Sequence, residues 1–466
     1  APSFAYYMLP TRAGELLTGA LLAHGVNAGW RPTSRTVAEA AAWSGLVLVV
    51  GSLWWLSEQR VFPGWQAVPP TLGTALLIFA GLDARATVSR LFQRQPLVFI
   101  GLLSYSAYLI HWPILAFLRY AGVPIGPVVG VIAVALTIFL AWLSYRFVEQ
   151  PLRRTRAGAM AVFIRQYALP AGALMFLALV AMKLDGYGPR AVVGSYPERL
   201  AEVREGVRPP YAYDYVCQKT VITREDFDDP GCVIGEPGAQ QPSVLLVGDS
   251  IAAQYVGMLG VFGREAGFAF TNIAASACPT LTDDPATYVT APRVANCRKS
   301  LAGIMPQLAD YDVLVIGSAW SYYHGRSPTF FAAFEAAMAP LLAAGKQIIV
   351  IAKPPLIPGY DRLCREKAVG LPFMDCHLAP VTFDPDVREG NRRLGDYAAR
   401  TPGVTLFDPN PVLCPDDRCP VFEADGTPVY YDRSHLTIPA SWRLGEAIVA
   451  RGGVPPVFGA LGARKR

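Results

Sequence analysis

The stretch PSVLLVGDSIAAQYVGM, residues 242–258, sets four apolar residues directly before Gly-Asp-Ser and then continues as an alanine-rich, helix-like segment. A short apolar run that ends at a glycine and leads into a helical pattern predicts a buried strand, a turn and a helix. Ser250 then lies at the carboxyl end of the strand. A serine in this position is either a displayed nucleophile or a residue that caps the helix.

More short apolar runs follow this strand, with helix-like stretches such as residues 328–345 between them. The runs are residues 268–274, 312–318, 347–353 and 404–409. This alternation predicts an α/β domain with a parallel sheet between two helical layers, a three-layer, flavodoxin-like arrangement. Because sites in such sheets form at the carboxyl ends of the strands, Ser250 stands at the edge where a site is expected.

A second motif lies near the end of the chain, in VYYDRSHLTIPASWRLGEAIV at residues 429–449. Asp432 and His435 are three residues apart, in a predicted loop before the last helix. This spacing lets the carboxylate hold one ring nitrogen while the other faces a nucleophile. Since a serine hydroxyl is a weak nucleophile without such a base, the two motifs together predict Ser250 as nucleophile, His435 as base and Asp432 as the orienting group.

The first part of the chain has a different character, because charged residues are sparse before residue 185 and mean hydropathy over the whole chain is +0.30. Its apolar stretches are residues 37–56, 67–82, 97–119, 124–147 and 166–184. Most are near the ~20 residues that a membrane-spanning helix needs, although 67–82 is short. Residues 11–29 add an amphipathic helix. We expect a helical transmembrane bundle rather than a set of helices buried in a soluble core.

Arginines predict the orientation of this bundle. They cluster in alternate loops, at Arg31 and Arg35, at Arg85, Arg90 and Arg94, and at Arg153, Arg154, Arg156 and Arg165. The positive-inside rule places these loops in the cytoplasm, so the stretch at 166–184 leads outward. The α/β domain is therefore expected outside the cytoplasmic membrane.

The cysteines indicate the same compartment. All eight lie between Cys217 and Cys419. Their sequence neighbours predict the pairs Cys217 with Cys232, Cys278 with Cys297, Cys364 with Cys376, and Cys414 with Cys419. An even number confined to one domain is typical of disulfides in an oxidising compartment. No CxxC pair is present, so we expect no metal site.

Two groups of polar residues stand out in the apolar part. His111 follows Tyr105 in SYSAYLIHWPI, residues 104–114, and Arg12 precedes Glu15 by three residues. Ionisable residues in membrane helices are costly and are candidates for function. The alternatives are an interfacial histidine beside an aromatic belt and a surface ion pair at a membrane edge.

Three segments of this part resemble the closing helices of the acyltransferase-three membrane family. They are LPTRAGELLTGALLA (9–23), IGLLSYSAYLIHWPI (100–114) and SYRFVEQPLRR (144–154). The resemblance implies a membrane domain that O-acylates surface polysaccharides or similar acceptors. It covers only the last half of the family's membrane helices, so the family's early catalytic histidine and its arginine partner are expected upstream of Ala1.

The remainder, over about residues 240–455, resembles the SGNH hydrolase superfamily. Ser250 matches the nucleophile of its first block, and Asp432 and His435 match its last block. The two middle blocks differ from those of the superfamily. NIAASACP stands where the superfamily has a glycine, and GSAWSYY stands where it has the asparagine of the oxyanion hole. The substitutes that this departure suggests for the oxyanion hole are Ala275, Ser276, Ser318 and Trp320.

These resemblances predict a chain of several domains. Residues 1–155 are a partial acyltransferase membrane domain, 156–185 an additional transmembrane helix, 186–240 a linker or entry segment, and 241–466 the SGNH-like domain. The implied protein is a membrane-bound O-acetyltransferase of the O-antigen type, in the bacterial inner membrane with its C-terminal domain in the periplasm.

Acetyl-CoA is the implied acyl donor on the cytoplasmic side, with no bound cofactor, and a surface glycan is the implied acceptor. A net charge of +5 is too mild to indicate a nucleic-acid partner. The alternatives are an SGNH-type carbohydrate esterase and a non-catalytic, membrane-anchored glycan-binding module. The sequence leaves the oligomeric state open.

Overall fold

The computed structural model describes residues 9–56, 64–83, 86–154, 157–183, 195–236, 242–279, 281–282 and 284–463. The chain forms two compact units, Ala1–Met175 and Phe176–Arg466. Each unit is described separately below.

The first unit is helical. Its helices, with the one that crosses the unit boundary, are α1 (Leu9–Asn27), α2 (Arg35–Trp55), α3 (Val68–Gly81), α4 (Thr87–Phe92), α5 (Gln95–Tyr120), α6 (Pro127–Ser144), α7 (Gln150–Arg153), α8 (Ala159–Phe163) and α9 (Leu169–Lys183). Single π-helical segments join α6 to α7 and α8 to α9, so that each pair is one continuous helix.

Four helical stretches in the described residues are long and apolar enough to cross a bilayer. They are Arg35–Trp55, Gln95–Tyr120, Pro127–Arg153 and Ala159–Lys183. The predicted apolar stretch at 67–82 forms α3, which has 14 residues and packs on α2. Glycines allow this close approach, because a Cβ on Gly45 would lie 2.6 Å from the carbonyl oxygen of Gly73.

The second unit contains an α/β domain, as predicted. Its strands are β1 (Gln218–Lys219), β2 (Val233–Gly235), β3 (Val244–Gly248), β4 (Ala269–Ala275), β5 (Val313–Gly317), β6 (Gln347–Ile351), β7 (Val381–Thr382), β8 (Val404–Phe407) and β9 (Arg418–Cys419). Its helices are α10 (Tyr196–Glu205), α11 (Ser250–Ala253), α12 (Val256–Ala266), α13 (Ala291–Ile304), α14 (Trp320–Arg326), α15 (Phe330–Ala343), α16 (Cys364–Gly370), α17 (Pro385–Arg400), α18 (Asn410–Leu413), α19 (Ile438–Gly452) and α20 (Pro456–Ala463).

The main sheet has the strand order β1-β4-β3-β5-β6-β8, and β2 pairs with β4. All of its pairings are parallel except that of β2 with β4. Alternate residues of β3 enter different cores. Val244 and Leu246 pack toward α12, α19 and α20, whereas Leu245 and Val247 pack toward α13, α15 and α17. The five strands predicted from apolar runs therefore form the centre of a three-layer domain.

The domain begins earlier than the predicted boundary at residue 241. β1 and β2 lie in the segment predicted as a linker, yet both pair with β4. Strands of two and three residues carry no periodic signal, which is why the sequence pattern does not reveal them. Residues 184–194 and 237–241, near the two ends of that predicted linker, lie outside the described residues.

The four disulfides follow the predicted pairing of sequence neighbours. They join Cys217 to Cys232, Cys278 to Cys297, Cys364 to Cys376, and Cys414 to Cys419. Asp229 lies beside the first pair. Because both sulfurs of that pair are oxidised, they are not available as thiolate ligands.

Candidate active site

The turn after β3 brings Ser250 to the carboxyl edge of the sheet. Gly248 has a φ of 158°, and a Cβ there would lie 1.8 Å from the carbonyl oxygen of Gly317 and 2.8 Å from the Cβ of Ala252. Neither strand end could approach α11 so closely with a larger residue. The glycine of the Gly-Asp-Ser motif is therefore required by packing.

Helix capping falls to Asp249 and not to Ser250. The Asp249 carboxylate accepts a hydrogen bond from the N–H of Ile251 at 2.8 Å, and Asp249 is the N-cap of α11. The Ser250 hydroxyl is instead 2.8 Å from Nε2 of His435. The alternative interpretation, in which the Ser250 side chain caps the helix, therefore does not agree with the structure.

His435 connects the serine to the predicted carboxylate. Its Nδ1 lies 2.9 Å from each carboxylate oxygen of Asp432. The backbone N–H groups of Ser434 and His435 also donate to Oδ1 of Asp432, at 2.8 and 3.0 Å. The Nδ1 contact and the two backbone donors therefore orient this carboxylate against the imidazole, and the imidazole contacts Ser250. This is the geometry that a serine nucleophile and its base require.

The electrostatics keep Asp432 ionised. Partial burial raises the pKa of this carboxyl group, but the hydrogen bond and charge of His435 and the backbone N–H groups outweigh it and hold the pKa at about 2. A permanent carboxylate fixes the proton on Nδ1 of His435. Nε2 is then the unprotonated ring nitrogen, which can accept the hydrogen bond of the Ser250 hydroxyl.

Asp249 ties the ends of two strands together, a role that the sequence did not suggest. One oxygen accepts from the Ala319 N–H at 2.9 Å and from the Ser318 hydroxyl at 3.1 Å. The side chain is 1% exposed, and this burial raises its pKa despite the hydrogen bonds. In the sequence, an aspartate directly before a predicted helix indicates only an N-cap, and it does not indicate the contact with the end of β5.

Three of the four oxyanion-hole candidates already donate hydrogen bonds within the domain. Ser318 donates to Asp249, and the indole N–H of Trp320 donates to the carbonyl oxygen of Ile351 at 3.0 Å. The N–H of Ser276 donates to the carbonyl oxygen of Lys219 at 2.8 Å. These donors are already engaged because each closes a contact between strand ends, which argues against Ser318, Trp320 and the Ser276 N–H as oxyanion-hole donors.

Ala275 is the remaining candidate. The N–H groups of Ala274 and Ser276, on either side of it, donate toward the β1 side of the strand. Because successive N–H groups of a strand point in opposite directions, that of Ala275 points toward β3, which ends at Gly248. The oxyanion-hole role of Ala275 stays a prediction.

Lys353 lies behind this edge and was also missed by the sequence reasoning. It follows β6, is 3% exposed, and its Nζ donates to the carbonyl oxygen of Pro354 at 3.2 Å. Burial lowers the pKa of Lys353 to about 8, although the charges of Asp249, Asp384 and Asp432 raise it. A buried lysine among three carboxylates gives no local sequence pattern, because the carboxylates come from distant segments.

The membrane-domain candidates occupy separate environments. The side chain of Arg12 lies outside the described residues, so its predicted pairing with Glu15 is not described. Glu15 lines a cavity of about 390 Å³ with Thr18 and Thr71. Nδ1 of His111 is 2.7 Å from the carbonyl oxygen of Tyr108 in its own helix, and Tyr105 is 58% exposed.

The chain matches the family described as SGNH domain (fused to AT3 domains) over residues 217–450. Among curated proteins it is similar to O-acetyltransferase OatA of Staphylococcus aureus (strain NCTC 8325 / PS 47), with 34% identity over 86 residues, 18% of this chain and 14% of that protein. A provisionally named O-acetyltransferase of S. aureus strain MRSA252 is 31% identical over 124 residues. That match covers 25% of this chain and only 20% of the relative.

Among solved structures, the chain is similar to one titled as the periplasmic domain of a lipopolysaccharide acetyltransferase from Salmonella ser. Paratyphi A. The TM-score is 0.40 and the sequence identity 15%, and the likeness covers 54% of this chain and 98% of that chain.

Proposed function

This chain belongs to the family of SGNH domains fused to AT3 domains, and we propose that it is a membrane-bound O-acetyltransferase of a cell-surface polysaccharide. The contact that carries the proposal is the 2.8 Å distance between Ser250 Oγ and His435 Nε2, with Asp432 on the opposite ring nitrogen. The name of the S. aureus relative, O-acetyltransferase OatA, supports the reaction class.

The proposed reaction has two half-reactions at Ser250. Its hydroxyl attacks the carbonyl carbon of the incoming acetyl donor while His435 takes the hydroxyl proton, and the proton then passes to the leaving group. A sugar hydroxyl next attacks the acetyl-serine, with His435 again taking the proton. The ester bond to Ser250 breaks, the proton returns to Ser250, and the acetylated sugar leaves.

The membrane unit would deliver the acetyl group to the α/β domain. Four candidate membrane spans support its place in a bilayer. We propose acetyl-CoA as the cytoplasmic donor, delivery of the acetyl group through the membrane unit, and an inner-membrane location with the α/β domain in the periplasm. Disulfides confined to the α/β domain fit that oxidising compartment.

The whole chain in detergent micelles tests the proposal. The assay uses p-nitrophenyl acetate as donor, with or without oligosaccharide isolated from the surface polysaccharide, and mass spectrometry of the sugar. Wild type is expected to acetylate the sugar and Ser250→Ala is not. Ser327→Ala is the matched control, because the Ser327 hydroxyl contacts Thr329, two residues further along the chain. Ester turnover that depends on Ser250 without acetylated sugar would instead identify an esterase.

A further inference from the structure

Three side chains from separate segments meet at the loop that carries the triad base. Tyr431 directly precedes Asp432, and its N–H donates to the carbonyl oxygen of His435 at 2.8 Å. The guanidinium of Arg362 lies over the Tyr431 ring, 5.4 Å from the ring centre, and donates to the Tyr431 hydroxyl. The Tyr211 side chain is close enough to Tyr431 to raise the pKa of the Tyr431 hydroxyl. These three residues are called the Tyr211 platform below.

The platform also adjoins the nucleophile. The turn Pro210–Ala212 packs against α11, the helix that begins with Ser250. Tyr211 therefore lies next to the helix that carries the nucleophile and near Tyr431, the residue before Asp432. The platform therefore adjoins both the helix that carries Ser250 and the loop that carries Asp432 and His435.

Tyr211 is one of the exposed aromatic residues of this domain. Its side chain is 60% exposed, whereas tyrosines such as Tyr255, Tyr323 and Tyr430 are fully buried. Leu363, beside Arg362, is 41% exposed. Apolar surface grouped beside a reactive serine and not covered by the domain is typical of a binding site.

The segments that carry the platform are held in place. Arg208 stacks on Tyr213 at 4.8 Å and donates to the carbonyl oxygen of Ala212. Arg204 of α10 forms an ion pair with Glu366 of α16 at 2.8 Å, which links the two segments. The Cys364–Cys376 disulfide closes the loop that follows Arg362. Tyr211 and Arg362 thus stand on braced segments, which limits the entropy lost when a ligand binds.

The chemistry of the platform fits a sugar ring. One face of a pyranose presents C–H groups, which pack on the electron-rich face of an aromatic ring, while its edge presents hydroxyl oxygens. Arg362 is exposed, and the adjacent carboxylate of Asp361 pairs with Lys367 at 2.7 Å. A guanidinium has five N–H donors, and the Tyr431 hydroxyl accepts from one nitrogen of Arg362. Its other N–H groups can therefore donate to the hydroxyl oxygens of a sugar.

We propose that the Tyr211 platform is the acceptor subsite, in which the sugar that receives the acetyl group stacks on Tyr211 and accepts hydrogen bonds from Arg362. This inference rests on the proposed function, since it names how that reaction binds its acceptor. Stacking orients one hydroxyl of the sugar toward the acetyl-serine and Nε2 of His435.

A binding experiment tests the subsite without requiring catalysis. The whole chain with Ser250→Ala, in detergent, is applied to a printed array of bacterial surface glycans. Adding Tyr211→Ala is expected to weaken glycan binding by about tenfold, and Arg362→Met by a similar factor. Tyr211→Phe keeps the stacking face and should retain most of the binding. Tyr322→Ala is the matched control, because that tyrosine is 49% exposed on α14.

Two results would overturn the subsite: no glycan bound by the Ser250→Ala chain, or equal binding with and without Tyr211→Ala. A second readout separates it from the proposed function. With Ser250 present, Tyr211→Ala should raise KM for the oligosaccharide about tenfold, whereas the control Tyr322→Ala should not raise it. If wild type turns over the ester but never acetylates sugar, the proposed function fails, whereas the binding array still decides the subsite.

Discussion

Gln254 and Leu436, 182 positions apart, join the two halves of the triad: Oε1 of Gln254 accepts the N–H of Leu436 at 2.6 Å. Gln254 follows α11, which begins with Ser250, and Leu436 follows His435. Gln254 is fully buried. The distance between nucleophile and base is thus set partly by one hydrogen bond that touches neither.

Gln254→Leu is expected to lower ester turnover by tenfold or more and to destabilise the protein by about 1–3 kcal/mol, because the buried N–H of Leu436 loses its acceptor. Turnover and thermal unfolding of the whole chain measure both effects. Gln218→Leu is the control, since Nε2 of that glutamine donates to the side chain of Ser276 and not to the loop that carries His435. Unchanged turnover in Gln254→Leu would mean that this hydrogen bond does not position the triad.

The triad residues are expected to act as one unit. Ser250→Ala and His435→Ala should each lower ester turnover by roughly a thousandfold or more, and the double variant should be no worse than Ser250→Ala alone. Asp432→Asn should retain more activity, because the base is still present but is less well oriented. Losses that multiply in the double variant would contradict this arrangement.

The burial of Lys353 predicts a pH-dependent stability. Its pKa is about 8 in the folded protein, below the usual 10.5. Between these values the unfolded chain holds a proton that the folded chain has released, so this residue's contribution to stability rises with pH from about 8 to 10.5. Lys353→Met should therefore raise Tm more at pH 7 than at pH 10.

Thermal unfolding of the whole chain at the two pH values checks the Lys353 prediction. Lys299→Met, on the exposed surface of α13, should change Tm equally at both. A gain for Lys353→Met that grows toward pH 10 would reverse the sign and contradict the assigned burial cost.

The Cys278–Cys297 disulfide is expected to matter for both stability and activity. It closes a loop with a sequence separation of 19, and it follows Ala275 at the end of β4 by three residues. Replacing both cysteines with alanine should cost about 2–4 kcal/mol of stability. Ester turnover should fall as well, whereas loss of Cys364–Cys376 should spare it. Peptide mapping without reduction that found free thiols would contradict the pairing.

Introduced cysteines can test the orientation, because the described chain has no free cysteine. Gly158→Cys probes the arginine-rich loop before α8, and Gly206→Cys probes the segment after α10. In intact cells a membrane-impermeant maleimide should label Gly206→Cys, and it should label Gly158→Cys only after lysis. Equal labelling of both positions would rule out the two-compartment arrangement.

The sequence by itself determined the central strands, the apolar helices and the disulfide partners. β3 and β5 are continuous apolar runs and β4, β6 and β8 are mostly apolar, because strands covered on both faces bury most of their side chains. The helices of the first unit likewise carry their signal in consecutive residues. Each cysteine pairs with its neighbour in the sequence, so the pairing could be predicted without knowledge of the fold.

Only the tertiary structure decided the partners of the polar groups around Ser250. Trp320 donates to Ile351, Ser318 to Asp249, and Lys353 lies near three carboxylates, through contacts that span strands far apart in sequence. A hydrogen-bond donor takes whichever acceptor the fold brings within about 3 Å. Residue type and spacing predicted the triad, because Asp432 and His435 are local neighbours, whereas the groups that support it become neighbours only when the sheet assembles.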